Sequence, residues 1–108
     1  MRELKFIVTG QIIKPDPDCN FSNLVPGTES YLKAKFSFSS EWAGCQKVAG
    51  FYSGNHEYPP KVISELNSCL IPVEVLKRPI FTICVIGQRG DFKIKTNRVT
   101  VRQNGGNV

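Results

Sequence analysis

The stretch YLKAKFSFSSEWAGCQKVAGFY, Tyr31 to Tyr52, decides the fold of this chain. Its first part places apolar side chains at every second position: Leu32, Ala34, Phe36 and Phe38. A period of two predicts a strand with one buried face. A second strand-like run, QKVAGFY, follows after a short polar segment. The stretch therefore predicts two strands joined at a corner that holds Trp42, the only tryptophan of the chain.

Trp42 has two interpretations, an exposed contact for a partner or a plug that closes the end of the core. Large aromatic side chains bury much apolar area, which favours the plug at a corner between strands. The alternative rests on Tyr52 and Tyr58, which flank the next turn and could form an aromatic surface with it.

The remaining strand-like runs also have a period of two. They are ELKFIVT (3–9), EYPPKVI (57–63), FTICVIG (81–87) and DFKIKTNRVTVRQ (91–103). FTICVIG is apolar on both faces, which predicts a central strand covered on both sides. The phase of the last run slips at TNR (96–98), which indicates a bend or bulge. IPVEVLKRP (71–79) fits a single helical turn after a proline, and no longer window has a helical period.

Turn residues separate these runs. KPDPDCNFSNLVPGT (14–28) has three prolines and reads as a long loop, and GQRGDF (87–92) as a hairpin tip. Gly54-Asn55 predicts a hairpin turn, and Pro59-Pro60 an edge or broken strand. The pattern predicts an all-β, two-sheet antiparallel sandwich of immunoglobulin or fibronectin-III type with about seven strands. A small barrel is the alternative. We expect one domain over residues 1–103 and a flexible C-terminal tail over 104–108.

Composition excludes several classes of protein. The chain has 108 residues, 41% hydrophobic and 21% charged, which is typical of a globular domain. Its longest apolar runs fall well short of the roughly 20 residues that span a bilayer, and its start lacks a signal-peptide pattern. We therefore expect a protein that is not secreted and has no membrane partner.

Signals for catalysis and metal binding are weak. The four cysteines form no C-x-x-C pair and His56 is the only histidine, so no zinc site is expected and the thiols should stay reduced. A Cys-His dyad would need His56, which lies in a predicted turn. Asp16 and Asp18 alone make a poor calcium site. The sequence predicts no enzyme activity, no catalytic, cofactor-binding or metal residues, and no cofactor.

The net charge is +5, and five of the fourteen basic residues fall between Arg89 and Arg102. Such a stripe could hold phosphate backbones, or it could decorate the solvent side of a strand and guard a sheet edge. The second interpretation is favoured because only Phe92 lies among these charges, whereas nucleic-acid surfaces interleave aromatics. A protein partner is expected, although the charge leaves nucleic acid open. The candidate partner-binding residues are Tyr52, His56, Tyr58, Arg89, Lys93, Lys95 and Arg98.

Three segments carry a resemblance to a known family. They are MRELKFIVTGQ (1–11), PGTESYLKAKFSFSSEWAGCQKVAGF (26–51) and SCLIPVEVLKRPIFTICVIGQRGDFKIKTNRVTVRQNG (68–105). In this order they resemble a small Ig-like virion domain of phages and prophages of Gram-positive bacteria. That domain occurs alone or at the N-terminus of upper-baseplate (BppU-like) and fibre proteins. The segments 12–25 and 53–66 depart from it, and loops of this kind are where partner choice could be encoded.

The resemblance implies a non-enzymatic structural or adaptor module of the virion, in capsid decoration, tail or baseplate. Such a protein would act through contacts with other virion proteins, could form homo-oligomers, and would pass from the host cytoplasm into the particle. The alternative is a phage-encoded inhibitor that blocks a host antiviral defence protein, such as a CRISPR effector.

Overall fold

Short alternating runs form the strands of this protein, and the computed structural model describes them over residues 1–103. The predicted tail, 104–108, lies outside the described residues. The strands are β1 (Arg2–Thr9), β2 (Ile12–Pro15), β3 (Leu32–Phe38), β4 (Gln46–Ser53), β5 (His56–Val62), β6 (Ser68–Leu70), β7 (Ile80–Arg89), β8 (Phe92–Lys95) and β9 (Val99–Arg102). A 3₁₀ turn (Ser40–Trp42) follows β3, and one α-helical turn, α1 (Val73–Leu76), follows Pro72, as the sequence predicts.

The strands form two sheets packed face to face, which confirms the predicted all-β sandwich. Sheet A has the order β2-β1-β3-β6. Sheet B has the order β5-β4-β7-β8, and β9 also pairs with β7. One pair departs from the antiparallel prediction, because β1 and β3 run parallel. The chain between them passes through β2 and a long loop and so returns to the same end of the sheet.

The described residues contain nine strands where the sequence indicates about seven. The two additional strands, β2 and β6, are only four and three residues long. Each buries a single side chain, Ile13 and Cys69 respectively, so neither shows a periodic pattern. The predicted loop 14–28 is correspondingly too long at its start, because Lys14 and Pro15 pair with β1.

The apolar positions of the alternating runs meet between the sheets. Fully buried residues include Leu4, Phe6 and Val8 of β1 and Leu32, Ala34 and Phe36 of β3. The rings of Phe6 and Phe36 stack with centroids 5.7 Å apart. Sheet B contributes Ala49, Phe51, Phe81, Ile83 and Val85 to the same core. The faces predicted from periodicity are therefore confirmed.

Trp42 is the plug of this core. Its side chain is completely buried, and its indole Nε1 donates a hydrogen bond of 2.9 Å to the carbonyl of Gly10, in the β1–β2 turn. On the other side, the ring lies so close to Gly87 of β7 that a Cβ there would be 2.8 Å from it. The indole thus joins sheet A to sheet B, and the partner-contact interpretation of Trp42 is wrong.

The phase slip at residues 96–98 is a bulge, as predicted. Ile86 pairs with Lys95 and Ile83 with Val99, so three steps on β7 face four on the other strand. Thr96 bridges the gap, because its hydroxyl accepts a hydrogen bond from Val85 N at 2.9 Å. The bulge separates β8 from β9 while both stay beside β7.

Three local features shape the edges of the two sheets: a hydrogen bond from a side chain, a hairpin turn and a pair of prolines. Asn97, in the bulge, accepts a hydrogen bond from Ile13 N at 2.8 Å and so ties β2 to sheet B. The β4–β5 hairpin turns at Gly54, whose φ is +58°, as predicted. Pro59 and Pro60 lie in β5 at the edge of sheet B, which confirms the predicted edge position.

Candidate protein-binding surface

The outer face of sheet B, which points away from the core, brings together four of the seven predicted partner-binding residues: Tyr52, Lys93, Lys95 and Arg98. Tyr52 comes from β4, the lysines from β8 and Arg98 from the bulge before β9. Lys93 and Lys95 pair with Gln88 and Ile86 of β7. Gln88 and Ile86 alternate with core-facing residues of β7, so both lysines lie on the outer face. Both lysines and Arg98 are exposed.

Tyr58 and His56 lie on the opposite side of the hairpin from Tyr52. Tyr58 pairs with the buried Phe51 and is itself only 6% exposed, in the core. Its hydroxyl accepts a hydrogen bond of 3.3 Å from Arg78 Nε. His56 is exposed but is the first residue of β5 rather than part of the turn, and its ring packs edge-on against Tyr58 at 4.5 Å. Tyr52 and Tyr58 therefore form no common aromatic surface.

Arg89 lies apart, at the end of β7. Its guanidinium donates to the carbonyl of Ala43 and lies 4.7 Å from the ring centroid of Phe92. These contacts tie the β7–β8 hairpin tip to the corner that follows β3.

Tyr52 and Arg98 form a close cation–π contact on the outer face of sheet B. The guanidinium carbon of Arg98 lies 3.6 Å from the centroid of the Tyr52 ring. Beneath it, the Tyr52 hydroxyl lies 3.8 Å from Cys84 Sγ, within reach of the thiol as a donor. Tyr52 is only 8% exposed, so the ring covers the outward side of β7 at Cys84. The sequence predicts that β7 is covered on both sides, and at Cys84 the cover on the outward side is the Tyr52 side chain.

Gly50 makes room for this arrangement. A Cβ on Gly50 would lie 3.0 Å from Cys84 Sγ and 3.3 Å from both Cε1 and the hydroxyl of Tyr52. Since real Cβ atoms rarely approach so closely, a larger residue would displace the ring or the thiol. Glycine is therefore the residue that lets the ring lie flat along β4.

The environment of Tyr52 raises its pKa. Removal from water is the largest cause, followed by the hydrogen bond with Cys84 and the nearby charge of Glu57, whereas Arg98 acts in the opposite direction. The phenol therefore stays protonated and neutral under the guanidinium at physiological pH.

A row of aliphatic side chains crosses the same face. Val48 pairs with Val62 on one side and with Ile86 on the other, and Ile86 pairs with Lys95. Val62 is 77% exposed, while Val48 and Ile86 are half-buried. Beside Val48 and Val62 lies an open groove of about 630 Å³, lined by residues 44–48, 62–65 and Asn67.

The charges on this face are almost all positive. Lys93, Lys95, Arg98 and Arg102 lie on it with one strand carboxylate, Glu57, which pairs with Tyr52 in the register of β4 and β5, and Glu65 is part of the groove lining. Within residues 1–103 one ion pair forms, between Lys33 and Glu3 at 3.5 Å, and it belongs to sheet A. The cations of sheet B are thus not neutralised within the described chain.

Among residues 1–103 no three side chains of the metal-binding types come together, and no helix there is long and apolar enough to cross a membrane. All four cysteines are free. Cys19 is half-buried, and its thiol accepts a hydrogen bond from Lys5 N at 3.4 Å along the edge of β1.

Comparisons with protein-family models, curated proteins and solved structures find no match to this chain.

The aliphatic row and Gly50 are absent from the residues predicted to bind a partner. One signal for the hairpin was available in the sequence. A two-residue turn at Gly54-Asn55 pairs position 52 with 57 and position 51 with 58, so the two tyrosines must point to opposite faces. No such signal indicates the contact between the Arg98 guanidinium and the Tyr52 ring, because the two residues are 46 positions apart along the chain.

Proposed function

We propose that this protein is a non-enzymatic structural or adaptor module of a phage virion, acting in capsid decoration, tail or baseplate through protein–protein contacts. The resemblance of its three segments to an Ig-like virion domain suggests this role. One structural observation supports it: these segments form the frame of the sandwich, and the segments that depart from the family form one edge strand of each sheet.

The division follows the strand order. The resembling segments supply β1, β3, most of β4, and everything from β6 to β9. The departing segments, 12–25 and 53–66, supply β2 and β5, each a terminal strand of its sheet, whereas the opposite edges β6 and β8 belong to the resembling segments. A frame with a shared core and variable edges can change its partner without losing its fold. A virion repeats such contacts many times by symmetry, so each can be weak.

The test is mass spectrometry of purified phage particles. A structural module should be present in a constant ratio to the other virion proteins, and the ratio should survive repeated density-gradient purification. Absence from particles that are otherwise complete would overturn the proposal.

A tagged pull-down from infected cells, at moderate salt, addresses the alternative role. Recovery of capsid, tail or baseplate proteins supports the virion module. Recovery of a host nuclease or signalling enzyme, with no virion protein, would favour the inhibitor. The matched control is the same bait carrying Trp42→Ala, whose weakened core should reduce the recovery of any specific partner.

A further inference from the structure

We propose that the outer face of sheet B is the docking surface for an acidic protein segment, and that Arg98 is its anchor. The proposal rests on the proposed function in one respect, that the protein acts by binding other proteins. It adds the location of the surface and the chemistry of the partner.

Arg98 is held in place before any partner arrives. Its guanidinium lies on the Tyr52 ring at 3.6 Å. That ring contacts Cys84 through its hydroxyl and packs over the backbone of Gly50, which has no side chain in the way. Stacking occupies a face of the guanidinium plane and leaves donors in the plane for a carboxylate, which arginine can bind through two parallel hydrogen bonds. An ordered arginine loses less entropy on binding than a mobile one.

The site lacks a carboxylate of its own for Arg98. Within residues 1–103, Arg98 forms no ion pair. Glu57 is the one acidic residue on the strands of this face and contributes to the field at Tyr52, yet it does not neutralise the arginine. A second carboxylate, Glu65, belongs to the groove lining beside Val48 and Val62. An incoming carboxylate would therefore meet a guanidinium that is positioned and not already paired.

The outer face of sheet B matches the composition of protein interfaces. Val48, Val62 and Ile86 give an apolar strip that ends at Lys95, four residues along β4 from Tyr52, and a groove lies beside Val48 and Val62. Interfaces place apolar contacts at the centre and charges at the rim, with arginine and tyrosine enriched among the residues that matter most. Lys93, Lys95 and Arg102 would attract and orient an acidic partner from a distance.

Nucleic acid is the competing anionic partner, and the face suits it less. Binding of single strands relies on aromatic rings on which bases stack. The one ring on this face that is close to the cations, Tyr52, is 8% exposed and lies under Arg98. The aliphatic row offers nothing to a phosphate backbone, whereas it can cover apolar side chains that alternate with carboxylates in a peptide.

The test is an NMR titration of the full chain with a synthetic peptide in which glutamate and leucine alternate. We expect the peptide to shift the amide resonances of β4, β7, β8 and the bulge, and to leave sheet A unchanged. Arg98→Ala should weaken binding about tenfold or more, as truncation of an anchor does, and Arg98→Lys should restore only part of the loss. Lys5→Ala, on the outer face of sheet A, is the matched control and should bind as the wild type.

Three results would overturn the proposal. One is a peptide that leaves the outer face of sheet B unshifted in the wild type. Another is equal peptide affinity of wild type and Arg98→Ala, with both variants shown to be folded by their spectra. The third is a duplex DNA or a single-stranded RNA that binds the same face more tightly than the peptide, with the steep salt dependence of phosphate contacts.

The outcome is separable from that of the proposed function. If the wild-type protein is absent from particles, the virion role fails while the peptide titration is unaffected. If the wild type is present and Arg98→Ala is incorporated equally well, the virion role stands and the docking surface lies elsewhere.

Discussion

The outer faces of the two sheets carry the same charge but differ in order. Each presents four cations and one glutamate: Lys5, Lys14, Lys33, Lys35 and Glu3 on sheet A, and Lys93, Lys95, Arg98, Arg102 and Glu57 on sheet B. On sheet A all four are lysines, and one of them, Lys33, is paired with Glu3. On sheet B two are arginines, and one of these stacks on a fixed ring.

The difference shows that net charge alone does not mark a binding surface. The outward positions of the sheet A strands hold no aromatic residue that could orient a cation, and a lysine is a flexible, strongly hydrated point charge. Sheet B adds a ring, a glycine that accommodates it and an aliphatic row. What distinguishes the faces is therefore the pre-organisation of one side chain, since sheet A also presents exposed aliphatic residues, Ile12 and Leu70, on its outer face.

The largest effect is expected from removing the side chain of Trp42, the plug on which both faces depend. Trp42→Ala should lower the free energy of unfolding by about 3 to 5 kcal/mol, as for other large buried aromatics. Because the indole contacts Gly10 of sheet A and Gly87 of sheet B, both faces should lose stability in one transition. Urea unfolding followed by NMR signals from each sheet measures this. A change below about 1 kcal/mol, or loss of one sheet alone, would contradict the joining role.

Trp42→Phe separates the two contributions of the indole. It keeps most of the ring and leaves the Gly10 carbonyl without its donor, so we expect a smaller loss, about 1 to 3 kcal/mol.

The next effect concerns Cys69 of β6, whose thiol is buried against the core. Burial raises the pKa of Cys69 from 9.0 to about 12, with Lys61 acting in the opposite direction. The folded-state pKa lies above the unfolded one, so the stabilisation is complete below about pH 9 and is lost as pH rises towards 12. The free energy of unfolding should fall by about 1.4 kcal/mol per pH unit in that window.

Urea unfolding at a series of alkaline pH values measures this slope. Cys69→Ala should reduce it, whereas Cys19→Ala, which removes a half-exposed thiol, should leave it in place. Tyr52→Phe is needed as a second control, because the raised pKa of Tyr52 acts in the same direction. An unchanged slope in Cys69→Ala would show that this thiol is not the group that titrates.

Gly50→Ala should disturb sheet B only. The added methyl would lie 3.0 Å from Cys84 Sγ and 3.3 Å from the Tyr52 ring, and such overpacking costs about 1 to 3 kcal/mol. We expect the stack of Tyr52 and Arg98 to open, seen as shifts in the Tyr52 ring protons and faster labelling of Cys84 by a thiol reagent. Ser37→Ala, at an exposed position of β3, is the matched control. Unchanged ring signals in Gly50→Ala would mean that the stack does not depend on this glycine.

Charge reversal should have the smallest effects, a slight stabilisation on sheet A and almost no change on sheet B. Lys5 and Lys35 are direct neighbours in the β1–β3 register, so Lys5→Glu replaces a repulsive pair by an attractive one and should stabilise by about 0.2 to 1 kcal/mol. Lys93→Glu and Lys95→Glu should each stay within about 0.5 kcal/mol of the wild type, since both side chains are exposed. Thermal unfolding compares the three, and loss of folding in either sheet B variant would mean that the faces of β8 are reversed.

The sequence predicts the frame well and the surface poorly. The faces of β1, β3 and β7, the bulge at 96–98 and the hairpin turn at Gly54 follow from periodicity and turn residues, which are local properties. Periodicity does not predict the edge strands β2 and β6, because a strand of three or four residues with one buried side chain shows no repeat. Of the predicted partner-binding residues, the four that share a face come from three separate segments, and no local pattern brings them together.

The sequence by itself determined that this chain is an all-β sandwich, and which residues of its long strands face inward. It also indicated that Trp42 is a core residue, because a large apolar side chain at a corner has most to gain from burial. Only the tertiary structure decided that Arg98 reaches across β7 to Tyr52, that Gly50 leaves space for the ring, and that Val48, Val62 and Ile86 form one row. The reason is physical: alternation is set by each strand alone, whereas register, bulges and contacts across a sheet depend on how distant strands pair.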